Sequence, residues 1–310
     1  MLKVQHKQKK VPLFIVIPVF NGWGKTKQCL DCLLDSSFKN IKILLIDHGS
    51  SDNTKKEIVH YPEVQHITAS ADLWWTGATN VGIREAIKSG AKYIMLLNND
   101  CFFERDTIEK LMCHFNNEET YIVAPVQQNY PAGNTISSNV TTCFALGYPT
   151  LVLPWSNKFG NHPGNLKPAS MIVGGRGVII PAVVLGELGL FDEKELPHYG
   201  ADHDFYLRCR QKNISLYIAT DATVQVDQTK TTLSRNPGVL NFRQFLNTFS
   251  DRRSHRNFDV LLVLFKRYYP VKGLYFVGIL LNITRYVLLY LVRRVIFISG
   301  NIFRPGSSVG

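Results

Sequence analysis

The feature that most constrains the fold is an abrupt change from apolar to polar residues near the middle of the first half of the chain. Residues 94–97 are four consecutive apolar residues, and Asn98, Asn99 and Asp100 follow them directly. An apolar run this short predicts a strand buried in the centre of a parallel sheet. The polar residues then lie at the carboxyl edge of the sheet, where open α/β folds bind their ligands.

The polar end of this strand also suits a cation. Asp100 offers an anionic oxygen, and Asn98 offers a neutral carbonyl oxygen two residues earlier. Residues i and i+2 of an extended chain point the same way, so both oxygens can face one Mg²⁺ or Mn²⁺ ion, which can in turn hold a diphosphate. The structural alternative is a strand that ends in an ordinary polar turn.

The flanking sequence predicts an α/β fold with a Rossmann-like, doubly wound and mostly parallel sheet. Strand-like runs alternate with helical patterns, which is typical of such sheets. The strands are predicted at residues 13–17, 41–46 and 64–69, and the helices at residues 25–36, 54–59 and 77–89. The sequence has no glycine-rich phosphate loop of the ATPase or dinucleotide type, which argues against those two classes of enzyme.

Polar residues follow three of the predicted strands. They are Asn21, Asp47 with Asp52, and Asn98 with Asp100. Because the carboxyl ends of parallel strands meet at one edge, these side chains are expected to converge on one crevice. Asp47 is suited to accept hydrogen bonds from a nucleotide base or ribose, whereas Asp52 or Asn53 can cap a helix instead.

Four segments, in order along the chain, resemble the nucleotide-sugar motifs of family 2 glycosyltransferases, which have the GT-A fold. Residues 18–21, 46–52 and 96–100 match successive donor motifs, and residues 74–83 are similar to the segment that closes over the donor. The resemblance covers about residues 11–234. It implies metal-dependent transfer of a sugar from a nucleotide-sugar donor.

The resemblance also implies a role for each matching residue. Asp47 would contact the base, and Asp100 would hold a Mn²⁺ or Mg²⁺ ion on the diphosphate. The implied donor-binding residues are Pro18, Phe20, Asn21, Asp47, Trp75, Asn80, Asn98 and Asn99. The usual metal motif of the family is Asp-x-Asp, so Asn98 makes this site less anionic. The Asn-Asn-Asp form looks like the rhamnosyl- and galactofuranosyl-transferase branches.

A second chemical centre is predicted at residues 198–208, which resemble the Glu-Asp acceptor motif of the same family. Asp202 matches the catalytic aspartate, Ala201 stands in place of the usual glutamate, and Asp204 is the alternative base. Transfer with inversion needs a base that takes the proton of the acceptor hydroxyl. A helix N-cap is the structural alternative for Asp202.

Three further predictions concern the segments around this centre. Residues 223–227 stand where the family often has a histidine metal ligand, so Asp227, Gln225 or a water molecule would take that place. Residues 121–165 contain five prolines, which predict a loop-rich insert that contributes to the acceptor pocket. Arg176 follows two glycines and can pair with a phosphate or lie at the surface.

The C-terminal part of the chain predicts a membrane contact. Most of the net charge of +11 lies between residues 252 and 304, which contain ten basic residues and one acid. Residues 274–299 are apolar except for a stripe of Gly278, Asn282, Arg285 and Arg293 on one helix face. We expect a helix in the membrane interface with its arginines at the headgroups. A spanning helix and a dimerisation helix are the alternatives.

Together these patterns predict a GT-A catalytic domain at residues 1–234 and a C-terminal helical region at residues 235–310. The predicted function is inverting transfer from a UDP- or dTDP-sugar to a lipid-linked or polysaccharide acceptor in cell-surface glycan synthesis. Basic residues clustered with an apolar helix do not favour nucleic-acid binding. Cysteines without a zinc spacing fit a reducing cytoplasm, so the predicted location is the inner face of the cell membrane. The alternative is an inactive GT-A module that binds sugar or scaffolds an assembly.

Overall fold

The computed structural model describes residues 12–115, 120–136, 140–153, 165–229 and 237–302. The predicted domain boundary at residue 234 lies outside these ranges. The described strands are β1 Leu13–Val19, β2 Ile41–Asp47, β3 Val64–Thr68, β4 Tyr93–Leu97, β5 Cys101–Phe103, β6 Ile122–Asn129, β7 Val140–Cys143, β8 Tyr148–Val152, β9 Leu166–Pro168, β10 Arg176–Pro181 and β11 Leu216–Val226.

The described helices cover both faces of the sheet and then form the C-terminal region. They are α1 Trp23–Asp35, α2 Thr54–Glu57, α3 Trp74–Lys88, α4 Thr107–Met112, α5 Ala182–Leu188, α6 Ala201–Gln211, α7 Phe242–Asn247, α8 Phe258–Tyr268 and α9 Tyr275–Ile302.

Within the described ranges, one large mixed sheet forms the centre of the molecule. Its strand order is β3-β2-β1-β4-β10-β6-β11-β5, with β9 on β11, while β7 and β8 form a separate hairpin. Strands β1 to β4 pair in parallel, and β10 runs antiparallel to both β4 and β6. The α/β class and the parallel first half are confirmed, while the second half of the sheet is mixed.

The largest difference from the sequence prediction lies in residues 121–165. Their prolines predicted loops, but β6 lies inside the main sheet between β10 and β11. Pro125 pairs with Ala219 at the point where the register of β11 shifts before Thr223. A proline cannot donate to a strand ladder, so it is tolerated at such an irregularity.

Two apolar cores lie on opposite faces of the sheet, because successive side chains of each strand alternate between them. Phe14 and Val16 of β1 belong to one core, with α3, α6 and α8. Leu13, Ile15 and Ile17 belong to the other, with α1 and α4. Both cores meet at β4, where all five residues are buried.

Helix α8 belongs to the main core even though it follows the predicted boundary. Val260, Leu261, Leu264 and Phe265 are all buried in the same cluster as α3 and α6. Gly200, at the start of α6, has a φ of +85° and lies so close to Val260 that an added Cβ would be 2.7 Å from its Cγ1 atom. Helix α8 is therefore packed as part of the main fold.

Helix α9 turns its polar stripe towards the protein. Gly278 packs against Phe265 and Tyr269, and the side-chain amide of Asn282 donates to the carbonyl oxygen of Gly147 at 2.7 Å. Arg285 lies over the ring of Tyr148. Gly278, Asn282 and Arg285 share one face, as the sequence predicts. This face packs on the main fold, so the expected placement of Arg285 at headgroups is wrong, whereas Arg293, the fourth residue of the stripe, is exposed.

The rest of the α9 surface is largely apolar and exposed. Its exposed large side chains include Leu280, Leu288, Leu291, Val292, Val295 and Ile296. The most apolar 18-residue window of the segment Tyr275–Ser299 has a mean hydropathy of 1.7, and 22% of that window is buried in the protein. Its length and composition would allow it to cross a membrane.

The packing of α8 makes a testable prediction about stability. Leu264→Ala should lower the free energy of unfolding by about 2–5 kcal/mol, because it leaves a cavity in the main core. Leu280→Ala, at a side chain that is 63% exposed on α9, should change it by less than about 0.5 kcal/mol. Chemical denaturation followed by tryptophan fluorescence measures both. Equal effects of the two substitutions would contradict the assignment of α8 to the core.

Candidate functional site

The polar residues after β4 lie in a tight turn, in which the backbone N–H of Cys101 donates to the carbonyl oxygen of Asn98 at 3.3 Å. Asn98 and Asp100 both line one cleft. Asn99 points away from it, and its amide donates to the Thr26 hydroxyl of α1 at 2.9 Å. The expectation that Asn98 and Asp100 face a common space is therefore met, while Asn99 ties β4 to α1.

The cleft has a volume of about 370 Å³ and is built from distant parts of the chain. Its polar and aromatic lining consists of Trp75, Asn98, Asp100, Thr150, Arg176, His198, Tyr199, Asp202, His203, His255 and Tyr286. Helix α8 closes one wall with Val260, Leu261 and Leu264. The two predicted centres, at β4 and at α6, thus share one space.

Asp202 is held by hydrogen bonds on both of its carboxylate oxygens. The backbone N–H of Gly174 donates to Oδ2 at 2.7 Å, and Nδ1 of His203 lies 3.0 Å from Oδ1. Burial raises the pKa of Asp202, but the charge and hydrogen bond of His203 and the Gly174 N–H together lower it below its usual range. The carboxylate is therefore ionised at neutral pH.

His203 connects Asp202 to the β7–β8 hairpin. Its Nε2 atom lies 2.6 Å from the hydroxyl of Thr150. Burial lowers the pKa of His203, but the neighbouring Asp202 raises it above its ordinary value. Thr150 was missed by sequence reasoning, because it lies 53 residues from His203 and carries no motif of its own.

Asp100 is the second carboxylate of the cleft, and its surroundings shift its pKa in the opposite direction from that of Asp202. Burial raises the pKa of Asp100, and the charges of Arg176 and Lys25 lower it only in part. Its hydrogen bond comes from the thiol of Cys101, at 3.7 Å. A carboxylate with so little compensation is a suitable ligand for a cation.

The predicted metal ligands differ in how readily they could bind a divalent cation. Asn98 Oδ1 accepts from the indole N–H of Trp75 at 3.0 Å and keeps a second lone pair. Asp227 lies beside Asp100, since its backbone N–H donates to the carbonyl oxygen of Asp100 at 2.9 Å. However, its carboxylate forms a 2.7 Å salt bridge with Lys25. Asp100 and Asn98 therefore fit a cation, while Asp227 would have to leave Lys25.

The described residues contain no group of three or more histidine, cysteine, aspartate or glutamate side chains arranged for a metal ion. Hydrogen bonds to Lys25 and Thr229 overcome the effect of burial and lower the pKa of Asp227 to about 2. Its part in a metal site stays a prediction.

Arg176 lines the cleft rather than the outer surface. One guanidinium nitrogen, Nη1, donates to Oε1 of Gln127 at 2.8 Å. Its Nε atom is buried and has no hydrogen-bond partner among the described residues. The site thus keeps one positively charged donor available beside Asp100.

The loop after β2 is tied to the end of β1, although neither lines the cleft. Asn21 has a positive φ of 61°, and its Oδ1 atom accepts from the backbone N–H groups of Ser51 and Asp52. Asp52 accepts from the N–H groups of Gly22 and Trp23, at the start of α1. The capping alternative therefore holds for Asp52.

Asp47 is buried at the end of β2, where it accepts the N–H of Ser50 at 2.8 Å. Phe20 is exposed and stacks on His48 with a centroid distance of 5.5 Å. Pro18 lies within β1 and pairs with Ile46. Contacts of these predicted donor-binding residues with a nucleotide stay predictions.

Two of the sequence assignments need correction. The side-chain amide of Asn80 is buried and bonded to the backbone of Phe191 and to Glu193, so Asn80 fixes that turn rather than facing a donor. Asp204, the alternative base, is buried against Arg208, Arg267 and Tyr268. It joins α6 to α8 and does not line the cleft.

Comparison with known sequences points to one family. The sequence model "Glycosyl transferase family 2" matches residues 14–169, about half of the chain. The chain is 22% identical to the dTDP-rhamnosyl transferase RfbF of Shigella flexneri over 215 residues, which is 67% of each protein. It is 24% identical to the glycosyltransferase GlyA of Streptococcus pneumoniae over 102 residues, which is 31% of this chain but only 14% of GlyA.

Solved structures agree with the predicted fold. GalNAc-T7 with UDP, GalNAc and Mn²⁺ matches with a TM-score of 0.59 and 16% identity, over 71% of this chain and 44% of that one. Residues 1–349 of TarS from S. aureus match with a TM-score of 0.53 and 11% identity, over 94% and 92% of the two chains. The GT-A fold predicted from the sequence is confirmed.

The pairing of Asp202 with His203 makes a prediction for titration by NMR. In the unaltered protein, the ring protons of His203 should report a pKa above its ordinary value. Asp202→Asn should move that pKa below the ordinary value, because the opposing effect of burial then remains alone.

Asp227→Asn removes a carboxylate that does not contact His203 and serves as the control. It should leave the titration of His203 unchanged. An unchanged titration in Asp202→Asn would show that the two side chains are not coupled as described.

Proposed function

Because the chain belongs to glycosyl transferase family 2, we propose that it is an inverting glycosyltransferase that uses a UDP- or dTDP-sugar. Its acceptor is lipid-linked or a growing polysaccharide, and its role is in cell-surface glycan synthesis. The observation that supports this most strongly is that Asp100 and Asp202 line one cleft in opposite electrostatic environments.

In this proposal Asp202 is the general base. Its ionised carboxylate takes the proton of the acceptor hydroxyl while the acceptor oxygen attacks the anomeric carbon and the nucleoside diphosphate leaves. The Gly174 N–H and His203 fix the orientation of the carboxylate. Pre-orientation of this kind lowers the entropic cost of reaching the transition state.

Asp100, with Asn98 beside it, would hold Mn²⁺ or Mg²⁺, and the ion would neutralise charge on the departing diphosphate. Arg176 adds a fixed positive charge and a free donor on the same side of the cleft. RfbF is named as a dTDP-rhamnosyl transferase, and the GalNAc-T7 structure contains UDP and Mn²⁺. These relatives support a nucleotide-sugar donor and use of a divalent metal.

The exposed apolar face of α9 supports placement at a membrane. Because the rest of the fold covers Gly278, Asn282 and Arg285, the exposed apolar side chains of α9 can enter the interface while basic residues of the tail meet anionic lipids. We place the protein on the cytoplasmic face of the cell membrane. A homodimer through the same face is the competing arrangement.

An inactive sugar-binding or scaffold module remains the second candidate function. Two observations favour it: Ala201 stands where the family has a glutamate, and Asp227 is engaged with Lys25. Turnover of a bound donor separates this candidate from the transferase.

The proposed base is tested with a donor found by thermal shift across a panel of nucleotide sugars with Mn²⁺. Asp202→Asn keeps the shape and removes the proton acceptor. It should lower the rate of donor turnover about 10²–10⁴-fold with little change in donor affinity.

Asp100→Asn is the matched variant in the same cleft. It should instead weaken the metal-dependent part of donor binding, measured by calorimetry with and without EDTA. Normal turnover by Asp202→Asn, or metal-dependent donor binding that survives in Asp100→Asn, would contradict the corresponding role.

Membrane contact is tested by flotation with phosphatidylglycerol vesicles. The double variant Leu288→Gln with Val292→Gln should weaken binding about tenfold or more, because a fully buried large aliphatic side chain contributes about 1.5–3 kcal/mol.

The control is the double variant Val59→Gln with Val183→Gln, which removes two valines of the catalytic fold that are 71% and 59% exposed, at least as much as Leu288 and Val292. It should bind vesicles normally. Equal flotation of both double variants would argue against the membrane face, and a loss of dimers in the α9 variant would favour the homodimer.

A further inference from the structure

A cluster of two arginines around an aromatic ring lies at the edge of the cleft, outside the groups assigned to the donor and the base. Its centre is the ring of Tyr286, a cleft-lining residue on α9. The guanidinium of Arg256 lies 5.0 Å from the ring centroid, that of Arg285 lies 5.2 Å away, and the ring of His255 lies 5.9 Å away.

Among the described residues, the charge of Arg285 is not balanced by a carboxylate, and one of its guanidinium nitrogens has no hydrogen-bond acceptor. Its guanidinium stacks on Tyr148 at 3.7 Å from the ring centroid. Its Nη1 atom is buried and has no hydrogen-bond partner, and no carboxylate lies within salt-bridge distance of Arg285, among the described residues. Burying a charged donor without a partner is unfavourable, so an arginine in this state is suited to receive an anionic ligand.

The fold holds Arg285 in place through a contact that leaves little freedom. At Gly147 an added Cβ would lie 2.7 Å from the backbone nitrogen of Asn282, so the β7–β8 turn and α9 approach as bare backbone. Asn282 also donates to the carbonyl oxygen of Gly147. This contact places Tyr148 beneath Arg285, one turn further along the helix.

The position of the cluster connects it to the acceptor side of the cleft. Pro149 and Thr150 follow Tyr148 directly and line the cleft, and Thr150 contacts His203 beside the proposed base. Arg285 therefore lies next to the part of the cleft beside Asp202, where the acceptor hydroxyl must lie. Tyr286 links it to this space on α9, and Tyr148 links it on the β7–β8 hairpin. The donor-side charge, Arg176, belongs to a different element, β10.

We propose that Arg285, beside Tyr286, forms a subsite for a phosphate group of the acceptor, with the buried charge of Arg256 also close to the Tyr286 ring. A guanidinium offers a planar fork of donors that matches phosphate oxygens, and it forms strong charge-assisted hydrogen bonds with them. Leu281 and Leu288, one turn before and one turn after Arg285 on α9, are exposed apolar side chains, so the subsite suits a phosphate that carries an apolar chain. This inference rests on the proposed transferase function, since it assigns the acceptor.

The test uses octyl phosphate as the probe and octyl glucoside as its uncharged counterpart, with calorimetry in EDTA so that no metal at Asp100 can recruit the phosphate. Octyl phosphate should bind the unaltered protein more tightly than octyl glucoside does. Arg285→Gln should weaken octyl phosphate binding about tenfold or more, the equivalent of one charge-assisted hydrogen bond.

Arg294→Gln is the matched control, because it removes the same charge from the same helix. Arg294 donates to the carbonyl oxygen of Gly238, whereas Arg285 contacts the cleft-lining Tyr286. It should change octyl phosphate binding by less than about twofold. If Arg285→Gln does not fold, Arg285→Lys keeps the charge and stem without the fork and should still weaken binding about threefold or more. Equal binding by the arginine variants and the unaltered protein would overturn the proposal.

A second arm separates acceptor phosphate from the headgroups of the bilayer. Vesicles of phosphatidylglycerol and of phosphatidylcholine are mixed with both glutamine variants. The proposal expects the two variants to bind the anionic vesicles alike. If Arg285→Gln loses vesicle binding and keeps octyl phosphate, the ligand is a headgroup and the acceptor subsite is wrong.

Failure of the transferase function itself would be visible separately. Binding of octyl phosphate needs no donor and no turnover, so its specific loss in Arg285→Gln would support the subsite even in a protein that turns over no nucleotide sugar.

Discussion

The complete burial of strand β4 is the constraint on which the candidate site depends. The strand is covered by a core on each face and paired with β1 and β10 along its edges. A polar side chain within it would lose its hydrogen bonds to water without replacement. Polar groups can therefore appear only where the strand ends, and there Asn98 and Asp100 meet the turn before β10 and the first turn of α6.

The two carboxylates of this space differ because their surroundings differ. Asp202 receives a backbone N–H and a histidine, which stabilise its ionised form, whereas burial raises the pKa of Asp100. Asp202 therefore stays ionised at neutral pH without a bound cation. Asp100 gains most from a bound cation, and this contrast separates the two proposed roles on physical grounds.

The sequence allowed good prediction wherever local pattern decides the structure. Apolar runs with polar ends located β1, β2 and β4, and the family resemblance brought Trp75, Asn98, Asp100 and Asp202 to what proves to be one cleft. Prediction failed where distant partners decide. Pro125 suggested a loop, but a register shift in β11, almost a hundred residues later, accommodates it in the sheet.

The roles of Asn80 and Asp204 could not be read from the sequence for the same reason. Asn80 bonds to a turn 111 residues away, and Asp204 meets Arg267 and Tyr268 more than 60 residues on. The stripe on α9 was visible as a pattern, but its partner, the turn at Gly147, was not. A polar stripe shows that one face of a helix differs in composition from the rest. It does not show which part of the protein packs against that face.

The central claim is that Asp202 activates the attacking oxygen directly, which requires inversion at the anomeric carbon. The most direct test is the configuration of the first product released from a donor of known configuration. Proton NMR in the first minutes of donor hydrolysis, before the free sugar mutarotates, reports it through the coupling of the anomeric proton. The account predicts the anomer opposite to that of the donor. An initial product with the configuration of the donor would contradict it.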